Sequence, residues 1–332
     1  MSDNNSTNQH IEAEATVPAA LAGQRFDKIA AQLFSEYSRA ELSRWIEAGA
    51  LTANGAILRG KTRLVGGEDL RLAADKPVRE AWQEAQDIAL DVVYEDADLL
   101  VLNKPAGLVV HPGAGNPAGT LLNGLLHYRP ALKQLPRAGL VHRLDKDTSG
   151  LLMVAGSAAA QRVLAQSISQ RQVKREYAGI CEGRMVSGQD VDQPIGRHPQ
   201  VRTRQAVRED GKPAFTEFRV LERFRAHTLV RARLGTGRTH QIRVHLQSIG
   251  HPLVGDRRYG ARTRLPVAAT PALITALQGF PRHALHAQQL QLAHPLSGQL
   301  LSFSAPLPAD MTALLDLLAA GQDALSQGMS DV

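Results

Sequence analysis

The feature that most limits the fold of this chain is a succession of strand-length segments between residues 87 and 308. Short apolar or alternating stretches recur there, among them LLMVAGS, VKREYAGICEG and AHTLVRARL, and most connections between them are as short as hairpin loops. Helical stretches are fewer, such as SAAAQRVLAQSISQRQV, which Ser157 can cap. Strands joined by short connections pair antiparallel, because a parallel pair needs a long crossover. We therefore predict an α+β domain with a mixed, mainly antiparallel β-sheet flanked by helices and loops.

A smaller unit precedes this body. The stretches GQRFDKIAAQLF and SRAELSRWIEAG have apolar residues at helical spacing, and the second opens with a capping box of Ser38 and Glu41 and ends at Gly49. In LTANGAIL an Asn-Gly pair lies between apolar residues, which is typical of a β-hairpin. We expect a small α-β domain here. The predicted boundaries are a disordered tail at 1–16, the α-β domain at 17–75, a linker at 76–86, the main domain at 87–315 and a C-terminal tail at 316–332.

The charge of the chain is unevenly distributed. The formal net charge is +6, but residues 1–22 contain three carboxylates and residues 307–332 contain four, with no Lys or Arg in either segment. Setting aside the −3 and −4 of these ends leaves +13 on residues 23–306. A basic body with acidic ends points to a polyanionic partner, most simply a nucleic acid. Charge alone is equally compatible with a merely basic soluble enzyme.

The sequence also indicates the compartment. No apolar run approaches the roughly 20 residues of a membrane-spanning helix, and the N-terminal stretch lacks the charged-then-apolar pattern of a signal peptide. Cys181 is the single cysteine, which excludes an internal disulfide framework and suits a reducing environment. We expect a cytoplasmic protein with no membrane partner.

The stretch VHRLDKDTSG, residues 141–150, carries more charge than a turn requires. Its Asp, Thr and Ser residues could simply satisfy the backbone amides of the turn. A hydrolase with paired carboxylates is disfavoured, since Asp145 and Asp147 are close in sequence and their basic neighbours would keep both ionised. A third interpretation is that a single ionised Asp acts as a nucleophile or stabilises an oxocarbenium ion. Such a carboxylate needs a cation that keeps it charged and oriented.

A second charged stretch, LGTGRTHQIRVHLQSIGHPLVGD at residues 234–256, supplies candidate cations. Arg238 precedes a predicted helix, and Arg243 shares one face of that helix with Gln247. His240 and His245 are five residues apart, which is the wrong spacing for two metal ligands on one helical turn, so we expect no metal site. The segment GTGR lacks the pattern of a phosphate-binding loop, so use of a nucleotide triphosphate is not expected.

Together these stretches resemble the RluA family of RNA pseudouridine synthases. The resemblance rests on HRLDKDTSG, VKREY, TGRTHQIRVH and GHPLVGD, with YEDADLLVLNKPAGLVVHPG upstream and RHALHA at 282–287. It covers residues 87 to about 308, and HRLDKDTSG matches the family signature. Within the family the chain is most similar to the synthases that act on large-subunit ribosomal RNA.

The resemblance implies a role for three residues in the reaction. Asp145 matches the essential aspartate of the family. Arg238 matches the arginine that pairs with this aspartate. Tyr177 matches the tyrosine that stacks on the uracil and is placed to take the proton from C5.

Other positions are implied to contact RNA or to shape the pocket. Arg143 matches the arginine that enters the RNA stack where the target uridine flips out, and the adjacent His142 is assigned to the same RNA-contacting segment. Lys104 and Pro105 match a motif that shapes the site. Leu246 is a candidate for an apolar contact with the substrate.

The small N-terminal domain resembles the S4 RNA-binding domain over RFDKIAAQLF through EDLRL. In that family the second helix and the following loop present basic residues to the RNA backbone. The corresponding region here contains Arg39, Arg44, Arg59, Lys61 and Arg63. The alternative is that these basic residues form an ordinary solvent-exposed surface that binds no RNA.

The implied activity is isomerisation of uridine to pseudouridine in 23S ribosomal RNA of the large subunit or its precursor, at the stem-loop called helix 69. The reaction transfers no electrons and donates no group, so we expect neither cofactor nor metal, and we expect a monomer. Two alternatives stay open. The same chemistry would also serve another ribosomal stem-loop or a tRNA anticodon arm, and the same basic surface would serve a non-catalytic ribosome assembly factor.

Overall fold

The computed structural model describes residues 8–328 except 36, 38, 78–83, 114, 202, 261 and 262. The chain divides into two compact units, Met1–Glu80 and Ala81–Val332. Ser38 of the predicted capping box and most of the predicted linker lie outside the described residues.

Among its described residues, the first unit contains three strands and two α-helices. They are β1 (Asn8–Thr16), α1 (Phe26–Leu33), α2 (Arg39–Glu47), β2 (Leu51–Ala53) and β3 (Asp69–Pro77). The strands form an antiparallel sheet in the order β1-β3-β2. The two helices and this sheet enclose a core that includes Phe26, Ile29, Leu42, Ile46 and Leu70, all fully buried.

Two local predictions can be compared with this unit. The Asn-Gly turn is confirmed, because Asn54 and Gly55 both have positive φ, 50° and 74°, as a type I′ turn requires. Within the described residues only the single bridge Ala53↔Ala56 closes it, and β2 pairs with β3 instead of with a strand directly after the turn. The prediction of a disordered tail at 1–16 was wrong for residues 8–16, which form β1 and pair with β3 from Asn8↔Pro77 to Thr16↔Asp69. The alternation in HIEAEAT was easily overlooked, because its inward-facing side chains are mostly alanine and the pairing partner lies more than fifty residues away.

The second unit begins with β4 (Val92–Glu95), β5 (Leu99–Lys104), α3 (Leu121–Tyr128), β6 (Ser149–Ala155) and α4 (Ala158–Ser169). The chain continues through β7 (Lys174–Glu182), β8 (Gln189–Asp192), β9 (Ile195–Arg197), β10 (Gln205–Val207), β11 (Phe215–Arg223) and β12 (His227–Leu234). It ends with α5 (Gln241–Ser248), α6 (Pro271–Gly279), β13 (Leu285–Ala293), β14 (Leu300–Ser304) and α7 (Ala309–Gly328). No helix within the described ranges is both long enough and apolar enough to cross a membrane.

In the described part of this unit, a nine-stranded sheet forms the centre. Its order is β4-β5-β6-β13-β7-β12-β11-β8, and β14 also pairs with β13. Among the described pairings of this sheet, β6 with β13 is parallel and the others are antiparallel. The predicted α+β class with a mixed, mainly antiparallel sheet is therefore confirmed. The parallel pair brings the start of β6 next to the start of β13, where HRLDKDTSG and RHALHA meet.

The end of the chain differs from the prediction. The expected tail at 316–332 was wrong for residues 316–328, which continue helix α7, whereas residues 329–332 lie outside the described part. Met311, Leu314 and Leu318 on one face of α7 pack in a buried cluster with Leu273 and Leu277 of α6. These positions follow the i, i+3, i+7 spacing of an amphipathic helix, so the apolar face has a partner to bury against.

Candidate active site

Asp145 lies in the loop that leads into β6. The loop is fastened at its backbone: the Thr148 N–H donates to the Asp145 carbonyl (3.1 Å), and the Lys146 carbonyl accepts from the Gly107 N–H (2.9 Å). The Asp145 side chain is largely buried. The charged turn before β6 therefore positions one carboxylate at the end of the sheet.

The cation beside Asp145 is Arg243, in the first turn of α5. Its Nη1 donates to Asp145 Oδ2 (2.9 Å). Its Nε and Nη2 donate to the two carboxylate oxygens of Asp256 (2.7 and 2.9 Å). Asp256, with a side chain only 1 % exposed, thus orients the guanidinium that holds Asp145.

The prediction that Arg238 pairs with Asp145 was wrong. Arg238 is exposed, its Nε donates to the Pro213 carbonyl (3.0 Å), and its N–H donates to the Gln241 side chain (2.9 Å). The helix begins only at Gln241, so Arg238 precedes it while Arg243 lies in its first turn. Both arginines stand in TGRTHQIRVH, and the spacing alone did not distinguish them.

His240 lies beside Asp145 and Tyr259 beside Arg243, and neither was predicted from the sequence as a site residue. His240 has a left-handed backbone (φ 59°), and its Nε2 lies 3.9 Å from Asp145 Oδ1. The Tyr259 hydroxyl lies 2.7 Å from His240 Nδ1 and accepts from the Gln205 N–H (2.8 Å). Since that hydroxyl already accepts one bond, we assign its own proton to Nδ1, which leaves Nε2–H facing Asp145. The Tyr259 ring also lies beneath the Arg243 guanidinium (4.9 Å).

The electrostatics favour an ionised Asp145. Burial alone would raise the pKa of this carboxyl, but interaction with His240 and Arg243 and the hydrogen bond from Arg243 lower it below its usual value. Burial lowers the pKa of His240, so its imidazole is mainly neutral near neutral pH. Arg243 therefore supplies the permanent positive charge that keeps Asp145 ionised.

Lys104 stabilises the loop that carries Asp145. Its fully buried Nζ donates to the carbonyls of Pro105 (2.7 Å), Leu108 (3.0 Å) and Lys146 (2.9 Å). Burial lowers the pKa of Lys104 to about 7. Below that pH the side chain is an ammonium whose three N–H groups match three carbonyl acceptors. Pro105 is exposed and contributes its carbonyl to this brace.

An open cavity of about 510 Å³ lies in front of Asp145 and Arg243, within the usual size range of ligand sites. Its wall comes from the segment after β5, the Asp145 loop, the start of α5 and the loops before α6 and β13. The lining residues are Val109, Val110, His111, Pro112, Gly113, Asn116, Arg143, Leu144, Asp145, Lys146, Asp147, His240, Arg243, Gly255, Asp256, Arg257, Arg258, Pro281, Arg282 and His283. This cavity combines an ionised carboxylate with many cationic side chains, as a site for a polyanionic substrate requires.

The two residues expected to contact RNA beside Asp145 have different environments. Arg143 is exposed and lines the cavity, where its side chain can reach a bound RNA. His142 is half-buried, and its Nε2 accepts the Met153 N–H of β6 (3.0 Å). Burial lowers the pKa of His142 to about 3, as a neutral acceptor requires. The assignment of His142 to RNA contact is therefore corrected to a role in holding the loop onto the sheet.

Tyr177 and Leu246 lie behind the cavity wall. Tyr177, in β7, is 5 % exposed, and Leu246, in α5, is fully buried; both belong to the main apolar core with Leu144. Neither lines the open cavity. The expected substrate contact of Leu246 is thus replaced by core packing, while a contact with Tyr177 would require uracil to enter more deeply or the ring to turn outward.

The basic residues predicted in the first unit divide into two groups. Arg39 donates to Asp27 (3.3 Å), and Arg63 donates to the Gly23 carbonyl (2.7 Å). Arg44, Arg59 and Lys61 are exposed, and within the described ranges their side chains have no ion pair or hydrogen bond. These three cations are available to a ligand.

The described residues contain no group of three or more His, Cys, Asp or Glu side chains arranged to hold a metal ion. That catalysis needs neither metal nor cofactor remains a prediction.

Comparisons with known proteins agree on one kind of enzyme. A family model described as RNA pseudouridylate synthase matches residues 98–248, a span that contains Asp145, Tyr177 and Arg243. The protein called ribosomal large subunit pseudouridine synthase D from Vibrio parahaemolyticus is 49% identical over 97% of this chain and 99% of its own length. The protein of that name from Escherichia coli is 49% identical over 94% of this chain and 96% of its own length.

Solved structures are also similar. Human RNA Pseudouridylate Synthase Domain Containing 1 has a TM-score of 0.52 and 26% identity, covering 71% of this chain and 97% of its own. Human RNA Pseudouridylate Synthase Domain Containing 4 has a TM-score of 0.54 and 28% identity, covering 69% and 93%.

Proposed function

This chain belongs to the RNA pseudouridine synthase family, and we propose that it isomerises uridine to pseudouridine in the RNA of the large ribosomal subunit. The observation that carries the proposal is the buried, ionised Asp145, clamped by Arg243 and facing a cation-lined cavity. The near full-length similarity to ribosomal large subunit synthases supports the choice of RNA.

The chemistry suits these side chains. The N1–C1′ bond breaks, the uracil turns, and a C5–C1′ bond forms, after which C5 loses a proton and N1 gains one. No electrons are lost or gained overall, so carboxylate and proton chemistry is sufficient. Positive charge develops at C1′ as the base departs, and the ionised Asp145 would attack or stabilise that carbon.

Arg243 and Asp256 act on this step through Asp145. A guanidinium fixed by one carboxylate keeps the other in a single orientation, so little reorganisation is needed when charge develops. We assign Arg243 to keeping Asp145 ionised and aimed at C1′.

Arg143 is assigned to the flipping step. A base that leaves the stack costs a few kcal/mol, and a side chain that fills the gap offsets part of that cost. Its exposed position on the cavity wall supports this role.

Tyr177 is assigned to contact with the uracil ring. Burial raises the pKa of Tyr177, so the phenol keeps its proton near neutral pH. We propose a contact between its ring and the uracil, and its uptake of the C5 proton stays a prediction.

The first unit is proposed to act as an S4-type RNA-binding module, in which Arg44, Arg59 and Lys61 contact RNA phosphates. Within the large-subunit RNA, the proposed target is the helix 69 stem-loop of 23S RNA. We further propose that the enzyme acts as a monomer in the cytoplasm. The exposed, unpaired state of these three cations supports the module's role.

The test maps pseudouridines in ribosomal and transfer RNA of a strain lacking the gene. The strain is then complemented with wild type, Asp145→Asn or the matched loop variant Asp147→Asn. We expect large-subunit pseudouridines to disappear and to return with wild type and Asp147→Asn but not with Asp145→Asn. Restoration by Asp145→Asn would indicate a non-catalytic role, and loss confined to transfer RNA would refute the proposed substrate.

A further inference from the structure

Three arginines of the second unit are equally buried, and one of them has no partner. Arg175, Arg243 and Arg282 are each 7% exposed. Arg243 is held by Asp145 and Asp256, and Arg282 is held by Asp310 and three backbone carbonyls. Within the described residues the Arg175 side chain has neither a hydrogen bond nor an ion pair, and its Nε is sealed from solvent.

An unpaired buried guanidinium is costly, because the lost hydration is not replaced. Nearby carboxylates are already engaged: Glu176, the next residue on the strand, pairs with Arg231 and Arg233, and Asp145 pairs with Arg243. A charge kept in this state indicates a missing anionic ligand.

The position of Arg175 places that ligand at the edge of the catalytic centre. Arg175 and Tyr177 are two residues apart on β7 and lie on the same face of the strand. The Nη1 atom lies beneath the exposed loop before α5, where a Cβ added at Gly237 would be only 3.2 Å away. Because Gly237 has no side chain, it leaves room for the guanidinium directly beneath this exposed loop.

We propose that Arg175 binds a phosphodiester group of the RNA adjacent to the nucleotide that is isomerised, beneath the loop around Gly237. The inference rests on the proposed function and names a contact for the same substrate. Uracil is uncharged, so the anions of the substrate are its phosphates. The planar guanidinium can donate two parallel hydrogen bonds to two phosphate oxygens, which would satisfy donors that are unpaired in the free enzyme.

The first experiment measures stability without RNA. Arg175→Met keeps most of the side-chain volume and removes the buried charge, so we expect an equal or higher melting temperature. Arg282→Met is the matched variant, equally buried but fully bonded, and should melt at a clearly lower temperature. A similar fall for Arg175→Met would show that Arg175 supports the fold and would overturn the proposal.

The second experiment uses a stem-loop RNA that the wild-type enzyme converts. Across a salt series, Arg175→Met should reduce the slope of log affinity against log salt by about 0.7 to 0.9, the value for one phosphate contact. Arg162→Met, which removes an exposed charge on α4, controls for the loss of one positive charge in general. Equal changes in both variants would overturn the proposal.

A phosphate scan locates the contact. Neutral methylphosphonates replace, one at a time, the phosphates flanking the target uridine. At one position wild type should lose about tenfold or more in affinity while Arg175→Met loses nothing further. If the losses are additive at every position while wild type still converts the RNA, the Arg175 contact is refuted and the proposed function is not. If wild type converts no ribosomal RNA, the proposed function fails and this inference fails with it.

Discussion

Arg243 donates one hydrogen bond to Asp145 (2.9 Å), while Asp256 accepts two others (2.7 and 2.9 Å). The two carboxylates therefore accept hydrogen bonds from the same guanidinium group. Asp256 is the more deeply buried and fixes the orientation of the cation. The remaining oxygen of Asp145 is left toward His240 and the cavity.

Arg243→Gln should lower kcat by about 10²–10³-fold, because the catalytic carboxylate loses the donor that orients it. It should also lower the free energy of unfolding by about 3–5 kcal/mol, since Asp256 is left buried without its partner. Arg238→Gln is the matched control and should retain wild-type kcat. Single-turnover kinetics and denaturant titration measure both effects, and an equal loss of kcat in the two variants would contradict the assignment of Arg243.

The activity should persist to unusually low pH. Burial alone would raise the pKa of Asp145, yet His240 and Arg243 bring it below its ordinary value of 3.8. A lowered native pKa contributes stability above the unfolded value, and that contribution is lost only as pH falls through the native pKa. We expect kcat/KM of wild type to show no acidic limb from Asp145 above about pH 4.

In Arg243→Gln the effect of burial is no longer opposed by the guanidinium. The pKa of Asp145 should then rise, and an acidic limb should appear at a higher pH than in wild type. Profiles of kcat/KM against pH for both proteins test this, and superimposable acidic limbs would argue against it.

Lys104→Met should loosen the loop that carries Asp145. The carbonyls of Pro105, Leu108 and Lys146 lose their common donor, and within the described residues only that of Lys146 keeps another donor, the Gly107 N–H. A buried carbonyl left unpaired costs about 1–3 kcal/mol. We expect a lower melting temperature and a lower kcat with little change in RNA affinity. Lys133→Met, at an exposed lysine, should change none of these. Weaker RNA binding with normal kcat would instead indicate direct contact with RNA.

Arg143→Ala should matter most where the target base is stacked. On a stem-loop we expect kcat/KM to fall by about 10–10²-fold, since the cost of flipping is no longer offset. On a short unstructured RNA the fall should be smaller. Lys146→Ala removes another exposed cation from the same cavity wall and serves as the control. Equal losses on both RNAs would assign Arg143 to general charge attraction.

Replacing Arg44, Arg59 and Lys61 together by Gln should weaken RNA binding without changing kcat at saturation. Each lost phosphate contact lowers the salt slope by about 0.7 to 0.9, so the total should approach 2 to 3. Arg71→Gln is the control, because that charge is already paired with Glu14 (3.0 Å). An unchanged slope in the triple variant would mean that this surface does not contact RNA.

Local patterns in the sequence were enough to predict several features. Alternating strands with short connections predicted the mainly antiparallel sheet, because neighbouring strands pair when the loop between them is short. Asn54-Gly55 predicted its own turn, because few other residue pairs adopt positive φ at low cost. Segments with weak apolar character, such as β1, were missed because their stability comes from a distant partner strand.

The sequence by itself determined which residue types enter the site: a charged turn with Asp145, and a short segment with two candidate arginines. Only the tertiary structure decided which arginine holds Asp145. Arg243 is chosen because the helix begins after His240 and because Asp256, thirteen residues later in the chain, returns to orient the guanidinium. The structure likewise decided that Arg175 is buried without a partner while Arg282 is fully bonded. Hydrogen bonding depends on distances between groups far apart in sequence, and local residue preferences carry no information about those distances.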